Sequence, residues 1–170
     1  MARRATALDE QRKLDPRALL LDAGDFTGDA GIIGMFRSRF LAKAMVDMGY
    51  DAVAVGEREL AHGLRTLEAE AAEGLPLICA NLYRGDSRLF PPSVTKRIRG
   101  LTVCVFALLG ERPREQDGLE LRDPGREARA VLGEIRGKCD CVVLLAHMER
   151  SKLLDLLPEL DGVDLVIRAH

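Results

Sequence analysis

The sequence contains no tryptophan, two tyrosines and five phenylalanines, so aromatic residues make up only 4% of its 170 positions. With so few aromatic side chains, we do not expect a surface on which the bases of a single-stranded nucleic acid stack. The sequence also lacks an excess of basic charge, because 25 Lys+Arg oppose 27 Asp+Glu and the formal net charge is −2. Binding of nucleic acid through a basic patch is therefore not expected.

Long apolar runs are missing as well, and none reaches the roughly 18–20 residues that a membrane span needs. The first residues, Met1-Ala-Arg-Arg, carry charge without an apolar core, so no secretory signal peptide is visible. Apolar residues nevertheless make up 47% of the chain and charged residues 31%, which is typical of a folded globular protein. The length suits one domain, and we expect it to extend over residues 1–170.

The four cysteines do not form a metal-binding cluster. Cys79 and Cys104 lie in apolar runs, where we expect buried, reduced thiols that pack as small hydrophobic residues. Cys139 and Cys141 form a C-x-C pair that no second pair or nearby histidine accompanies. The pair alone therefore does not indicate a zinc site.

Short apolar runs alternate with segments of helical periodicity along the chain. The runs predict strands at 17–21, 51–55, 75–82, 93–98, 101–109, 141–146 and 164–169. The periodic segments predict helices at 3–13, 32–48, 60–71, 128–135 and 153–160, with loops at 26–31, 83–92 and 110–123. Alternation of this kind predicts an α/β fold with a mostly parallel sheet covered by helices.

Polar side chains follow several of these predicted strands. Asp25 follows the first run, Glu57 follows the second, and Asn81 lies at the end of the third. His147 and His170, two of the three histidines in the chain, follow the last two strands. Because ligands bind at the carboxyl ends of the strands in α/β sheets, these side chains are expected to converge. Carboxylates and imidazoles are ligands of divalent metals, so a metal site is predicted there.

Each of these residues also has a purely structural interpretation. Asp25 could cap a turn before a glycine-containing loop, and Glu57 could be a solvated carboxylate favoured by a helix dipole. His147 could be a hydrogen-bonded histidine of the core or its rim, and His170 could belong to an unstructured tail. We expect His62, in the first turn of a predicted helix, to be a surface residue. The combination of the four residues, more than any one alone, favours a metal site.

At these residues the chain resembles the calcineurin-like metallophosphoesterases, and among them the catalytic domain of bacterial 5′-nucleotidases. The similar stretches cover nearly the whole chain and are LLLDAGD, MGYDAVAVGERELAHG, PLICANLY, VVLLAHM and VDLVIRAH. The resemblance implies a layered αββα sandwich that hydrolyses nucleotides or similar phosphomonoesters with divalent ions such as Mn, Mg, Zn, Co or Fe. It also implies a periplasmic or other extracytoplasmic location.

By this resemblance, Asp25 matches the aspartate that bridges two metal ions, while His147 and His170 match metal-binding histidines. The family's opening Asp-x-His motif has no counterpart, and the last residue of its final motif would follow His170. We therefore expect a fold that is truncated at both ends. Loss of a strand would leave a neighbouring strand unpaired, which predicts self-association of the chain.

The family motif Gly-Asn-His-Glu reads Gly56-Glu57-Arg58-Glu59 in this sequence. Glu57 can still offer an oxygen to a metal, but Arg58 cannot act as a general acid because a guanidinium stays protonated. The aspartate that positions the family's catalytic histidine falls on Ala61. Arg58 can instead hold a phosphoryl oxygen, and together with Asn81 it is the candidate for contacts on the phosphate side.

Three functions remain open from the sequence. The first is a metal-dependent phosphoesterase of the 5′-nucleotidase type, with a small nucleotide or phosphomonoester as its partner. The second is a degenerate, non-catalytic module that binds a metal or another protein on the same scaffold. The third is an unrelated nucleotide-binding domain that uses the glycines at 24, 28 and 31, although this loop matches neither common phosphate-binding motif.

Overall fold

The computed structural model describes residues 2–28, 31–111 and 118–170. Its helices are α1 (Ala2–Leu14), α2 (Ile32–Asp47), α3 (Glu57–Ala61), α4 (Leu64–Ala72), α5 (Pro124–Ile135) and α6 (Arg150–Leu156). Its strands are β1 (Leu21–Asp22), β2 (Ala52–Ala54), β3 (Leu77–Ile78), β4 (Leu82–Arg84), β5 (Ser87–Arg88), β6 (Ser93–Ile98), β7 (Leu101–Leu109), β8 (Glu120–Leu121), β9 (Cys141–His147) and β10 (Leu165–Ala169). Within these residues, no helix has the length and apolar character required to cross a membrane.

The strands form three sheets. The first sheet has the order β1-β2-β3 and is parallel throughout. The second has the order β10-β9-β7-β6, in which only β6 runs antiparallel, through its hairpin with β7. A small antiparallel sheet, β5-β4-β8, lies beside them. The predicted α/β class and the mostly parallel main sheets are confirmed.

Three apolar clusters define the layers of the fold. In the first sheet, β2 alternates its side chains, so that Val53 packs with the residues of α2–α4 while Ala52 and Ala54 face the second sheet. In the second sheet, Phe106 packs with the residues of α5 and α6, whereas Val105 faces the first sheet. The order helix, sheet, sheet, helix is the predicted αββα sandwich.

The first half of the chain departs from the predicted elements at four points. The helix predicted over 60–71 is divided into α3 and α4, because Gly63 between them has a φ of +88°, which no α-helix accommodates. The strand predicted over 75–82 is divided into β3 and β4, which belong to different sheets. β5 then lies inside the predicted loop 83–92, and β1 is shorter and later than the predicted strand at 17–21.

In the second half, the two helices begin earlier than their apolar periodicity indicates. The helix α5 starts at Pro124 instead of 128, because the Asp123 side chain accepts the backbone N–H of Arg126 at 2.7 Å and caps the first turn. The helix α6 starts at Arg150 and gives way to a 3₁₀ turn at Leu157–Glu159. The predicted loop 110–123 contains β8, and its residues 112–117 lie outside the described part.

The cysteines differ from the prediction in one respect. Cys104 of β7 forms a disulfide with Cys139, so the expectation of a reduced Cys104 is wrong. Their Cα atoms are 5.8 Å apart although 35 positions separate them in sequence. Cys79 is a buried free thiol as expected, and burial raises its pKa to about 11, so it stays protonated at neutral pH.

Candidate metal centre

Four side chains meet at the edge of the sandwich where the parallel strands end. Asp25 follows β1, Glu57 begins α3 directly after β2, His147 ends β9 and His170 follows β10. Each offers one potential ligand atom, and these four atoms all lie within 4.8 Å of one another. The sequence interpretation of His170 as an unstructured tail does not hold, because β10 pairs Ala169 with His147 and brings the two histidines side by side.

The His147 ring is held in one orientation by the main chain. Only 1% of its side chain is exposed, and its Nδ1 lies 2.8 Å from the carbonyl oxygen of Ala23. Because a carbonyl oxygen can only accept, Nδ1 carries the proton and Nε2 is left to bind a cation or a second proton. Nε2 lies 2.6 Å from Glu57 Oε2 and 3.5 Å from Asp25 Oδ1. A lone pair and a carboxylate this close would repel each other, and a metal ion bound by both would remove that repulsion.

Glu57 connects the two histidines. Its Oε1 lies 3.0 Å from His170 Nδ1, and the two imidazole rings meet edge to face with centroids 5.5 Å apart. Burial raises the pKa of Glu57. Its own backbone N–H and the neighbouring His147 lower the pKa by more than burial raises it, so the pKa lies below its ordinary value. The side chains of Glu57 and His170 are 27% and 29% exposed. The group is therefore open to solvent on this side and closed around His147.

Asp25 is held at the site by a buried glutamate that the sequence interpretation did not single out. Glu59 is 1% exposed, and its carboxylate accepts the backbone N–H groups of Asp25 at 2.9 Å, Thr27 at 3.0 Å and Gly56 at 2.9 Å. Burial raises the pKa of Glu59 above its ordinary value in spite of these bonds. Glu59 is the third residue after the helix cap Gly56, and this capping-box spacing is the signal that could have identified it.

Two glycines let the loops of the site approach each other closely. A Cβ on Gly56 would lie 2.4 Å from Asp25 Oδ1, so no larger residue fits beside the carboxylate. Gly24 has a φ of +93°, and a Cβ there would lie 2.8 Å from His147 Nδ1. Asp25 itself adopts a φ of +60°, a conformation that aspartate tolerates better than most residues. The geometry of the group thus depends on small residues immediately beside its ligands.

Arg58 lies against the outer side of Asp25. Its backbone N–H donates to Asp25 Oδ1 at 3.0 Å, and its Nε lies 3.3 Å from Asp25 Oδ2. The arginine side chain is 57% exposed, whereas the aspartate is 17% exposed. Burial raises the pKa of Asp25, and this outweighs the opposing effect of the Arg58 N–H. Arg58, the residue predicted to contact the phosphate, therefore borders the four-residue group and is open to solvent.

Asn81 and His62 lie in surroundings that differ from the predictions. Asn81 is fully buried, and in place of the predicted phosphate contact its amide joins strands: Nδ2 donates to the carbonyl oxygens of Leu109 at 2.7 Å and Arg122 at 3.2 Å. Its Oδ1 accepts the backbone N–H of Leu109 at 2.9 Å, so both ends of the amide are used. His62 is half-buried, not a free surface residue, with Nε2 3.3 Å from the Gly28 carbonyl oxygen.

The sequence is similar to those of known 5′-nucleotidases. No protein-family model matches the sequence. The chain is 30% identical over 164 residues to a 5′-nucleotidase of Vibrio cholerae serotype O1, covering 87% of this chain and 30% of that protein. It is 37% identical over 183 residues to the snake venom 5′-nucleotidase of Gloydius brevicauda, covering 100% of this chain and 31% of that protein.

A solved structure agrees with these relatives. The 5′-nucleotidase precursor from Thermus thermophilus superposes with a TM-score of 0.80 at 25% identity, over 98% of this chain and 35% of that one. The fold and the motif order identify a metallophosphoesterase. Within that class, the chain belongs to the 5′-nucleotidase family, and it spans about a third of the length of these relatives.

Proposed function

We propose that this chain carries a metal-dependent hydrolytic site for phosphomonoesters, with nucleotides as the first substrate class to test. The observation that supports the proposal is the convergence of Asp25, Glu57, His147 and His170, whose ligand atoms lie within 4.8 Å of one another. Two carboxylates and two imidazoles suit Zn, Mn, Co or Fe, and all four donors lie at a strand edge that is partly open.

The residues of the chain would contribute in distinct ways. Asp25, Glu57, His147 and His170 would hold the ion, which when bound polarises a phosphoryl oxygen and lowers the pKa of a water molecule. His147 is preset for this role because the Ala23 carbonyl occupies its Nδ1 proton. The exposed guanidinium of Arg58 would bind a phosphoryl oxygen, as arginine forms paired hydrogen bonds to phosphate.

A second candidate function is a metal-binding module without catalysis. The observation that favours it is the exposed Arg58, which pairs with Asp25 at the position of the family's catalytic histidine. A guanidinium cannot donate a proton to a leaving group, and Ala61 has no side chain that could position one. Loss of a general acid costs on the order of 10²–10⁴ in rate, so turnover would be slow or missing.

Metal titration combined with a phosphate-release assay separates these candidates. We expect Mn²⁺ or Zn²⁺ to bind in calorimetry and the loaded protein to release phosphate from AMP or a chromogenic phosphomonoester. Asp25→Asn should lose both properties, while Asp86→Asn, a change at a fully exposed carboxylate, should keep them. Binding without turnover supports the non-catalytic module. Unchanged metal binding and turnover in Asp25→Asn would contradict both.

The location and oligomeric state also belong to the proposal. We infer an oxidising, extracytoplasmic compartment, because the Cys104–Cys139 disulfide would not persist in a reducing cytosol. Alkylation of the protein after it is denatured directly from its native cells should then label only Cys79 and Cys141 before reduction. The predicted self-association through edge strands such as β1 and β10 can be measured by light scattering. A concentration-independent monomer would contradict it.

A further inference from the structure

We propose that Arg58 supplies the second positive charge of this site, so that the four ligands hold one divalent ion and an oxyanion binds between that ion and the guanidinium. This inference rests on the proposed function, since it assumes that the group binds a metal. It goes further in assigning one ion to the site and in giving Arg58 the place of a second ion.

The two oxygens of Asp25 face different sides of the site, and Arg58 contacts both of them. Oδ1 lies 3.5 Å from His147 Nε2, on the side of the other three ligands. Oδ2 lies 3.3 Å from Arg58 Nε, on the outer side. A second ion on the outer side of Asp25 would have to take the place of the guanidinium that already faces Oδ2. The backbone N–H of Arg58 also bonds to Asp25, at 3.0 Å, which fixes the arginine beside the carboxylate.

The described residues offer one group of metal ligands. In residues 2–28, 31–111 and 118–170, the four-residue group is the only cluster of three or more His, Cys, Asp or Glu ligand atoms that could hold a metal. Four protein ligands leave positions open for an oxyanion on an ion that prefers octahedral coordination, such as Mn²⁺.

The charges at the site favour an anion once Arg58 is counted. Asp25 and Glu57 together carry two negative charges, which one divalent ion neutralises. Arg58 then adds a positive charge beside the ion that the two ligand carboxylates do not neutralise. Among the described residues, no hydrogen bond or ion pair occupies the terminal nitrogens of Arg58, because its bonds to Asp25 use Nε and the backbone N–H. These nitrogens can donate to a phosphate oxygen in the paired geometry that guanidinium favours.

Calorimetry on the full chain tests this inference with Mn²⁺ alone and then with inorganic phosphate added to the loaded protein. The variants are Arg58→Ala and Arg58→Lys, with Arg65→Ala as a control at an exposed arginine of α4. We expect one Mn²⁺ per chain in all four proteins. Removing the cation beside Asp25 should tighten Mn²⁺ binding by about tenfold in Arg58→Ala, because two positive charges no longer repel.

Phosphate binding should change in the opposite direction. Arg58→Ala should weaken it by roughly tenfold to a hundredfold through the lost charged hydrogen bonds, and Arg58→Lys should recover part of that loss. A purely structural role would instead weaken binding of both Mn²⁺ and phosphate in Arg58→Ala. That result, or two Mn²⁺ per chain in the parent protein, overturns the inference and leaves the metal site standing. No Mn²⁺ binding at all overturns the proposed function as well.

Discussion

Replacing Glu59 should damage both the stability of the fold and its affinity for a metal. This carboxylate accepts three backbone N–H groups, from Asp25, Thr27 and Gly56, and is almost completely buried. It does not belong to the ligand group, yet it holds the loop that carries Asp25 against the start of α3. A change at this position therefore tests whether the geometry of the site depends on that loop.

The size of the effect can be worked out from the three bonds. Glu59→Ala leaves three buried N–H groups without partners, at about 1–3 kcal/mol each, and partial entry of water brings the total to about 3–6 kcal/mol. This is a large part of the roughly 5–15 kcal/mol by which domains are stable. Glu59→Gln can keep the two bonds to Oε2, from Asp25 and Gly56, but loses the bond from Thr27, so we expect a loss of about 1–3 kcal/mol.

Urea denaturation measures the first effect and Mn²⁺ calorimetry the second. Glu127→Gln is the matched control, because Glu127 is also a buried carboxylate, with Tyr83 and Arg88 as its partners instead of the loop. We expect both glutamine variants to lose stability but only Glu59→Gln to lose metal affinity. If Glu59→Ala kept the stability and metal affinity of the parent, the reasoning would be refuted, because the loss of the acceptor for three backbone N–H groups would then have had no energetic cost.

Three further results are expected. Burial raises the pKa of Glu70, so its protonated form favours the fold and this contribution to stability is lost as the pH rises. In denaturation curves, Glu70→Gln should be more stable than the parent at neutral pH, and the difference should shrink toward about pH 4. Reducing the Cys104–Cys139 disulfide should cost about 3–4 kcal/mol and raise the thiol titre from two to four, whereas an unchanged titre would contradict the bond. Gly56→Ala should abolish Mn²⁺ binding in calorimetry, since its Cβ would lie 2.4 Å from Asp25 Oδ1, and retained affinity would show that the loop can shift.

The sequence predicted the parts of this fold that depend on local periodicity. The apolar runs of β9 and β10 each end in a histidine, and the structure places His147 and His170 on neighbouring strand ends. The alternation of small and large side chains along β2 likewise reflects two packed faces, one against helices and one against a sheet. These patterns can be recognised in the sequence because the apolar or polar character of each residue reflects whether that residue is buried.

The features that the sequence did not predict depend on contacts between distant segments. The partner of Cys104 lies 35 positions away, and no local pattern indicates that strand pairing brings Cys139 beside it. Asn81 lies at the end of a predicted strand in the same way as the candidate ligands, but its amide is taken up by Leu109 on another strand. Position at a strand end therefore does not fix the direction of the side chain.

The four candidate ligands come from both sheets of the sandwich, which gives a bound ion a mechanical role. Asp25 and Glu57 extend from β1 and β2, whereas His147 and His170 extend from β9 and β10. One ion held by all four would act as a cross-link between the two sheets. At a hundredfold excess over its Kd it would add about 2.7 kcal/mol to the free energy of unfolding. Chelation would then loosen the two sheets from each other, so metal supply would control the rigidity of the chain as well as its chemistry.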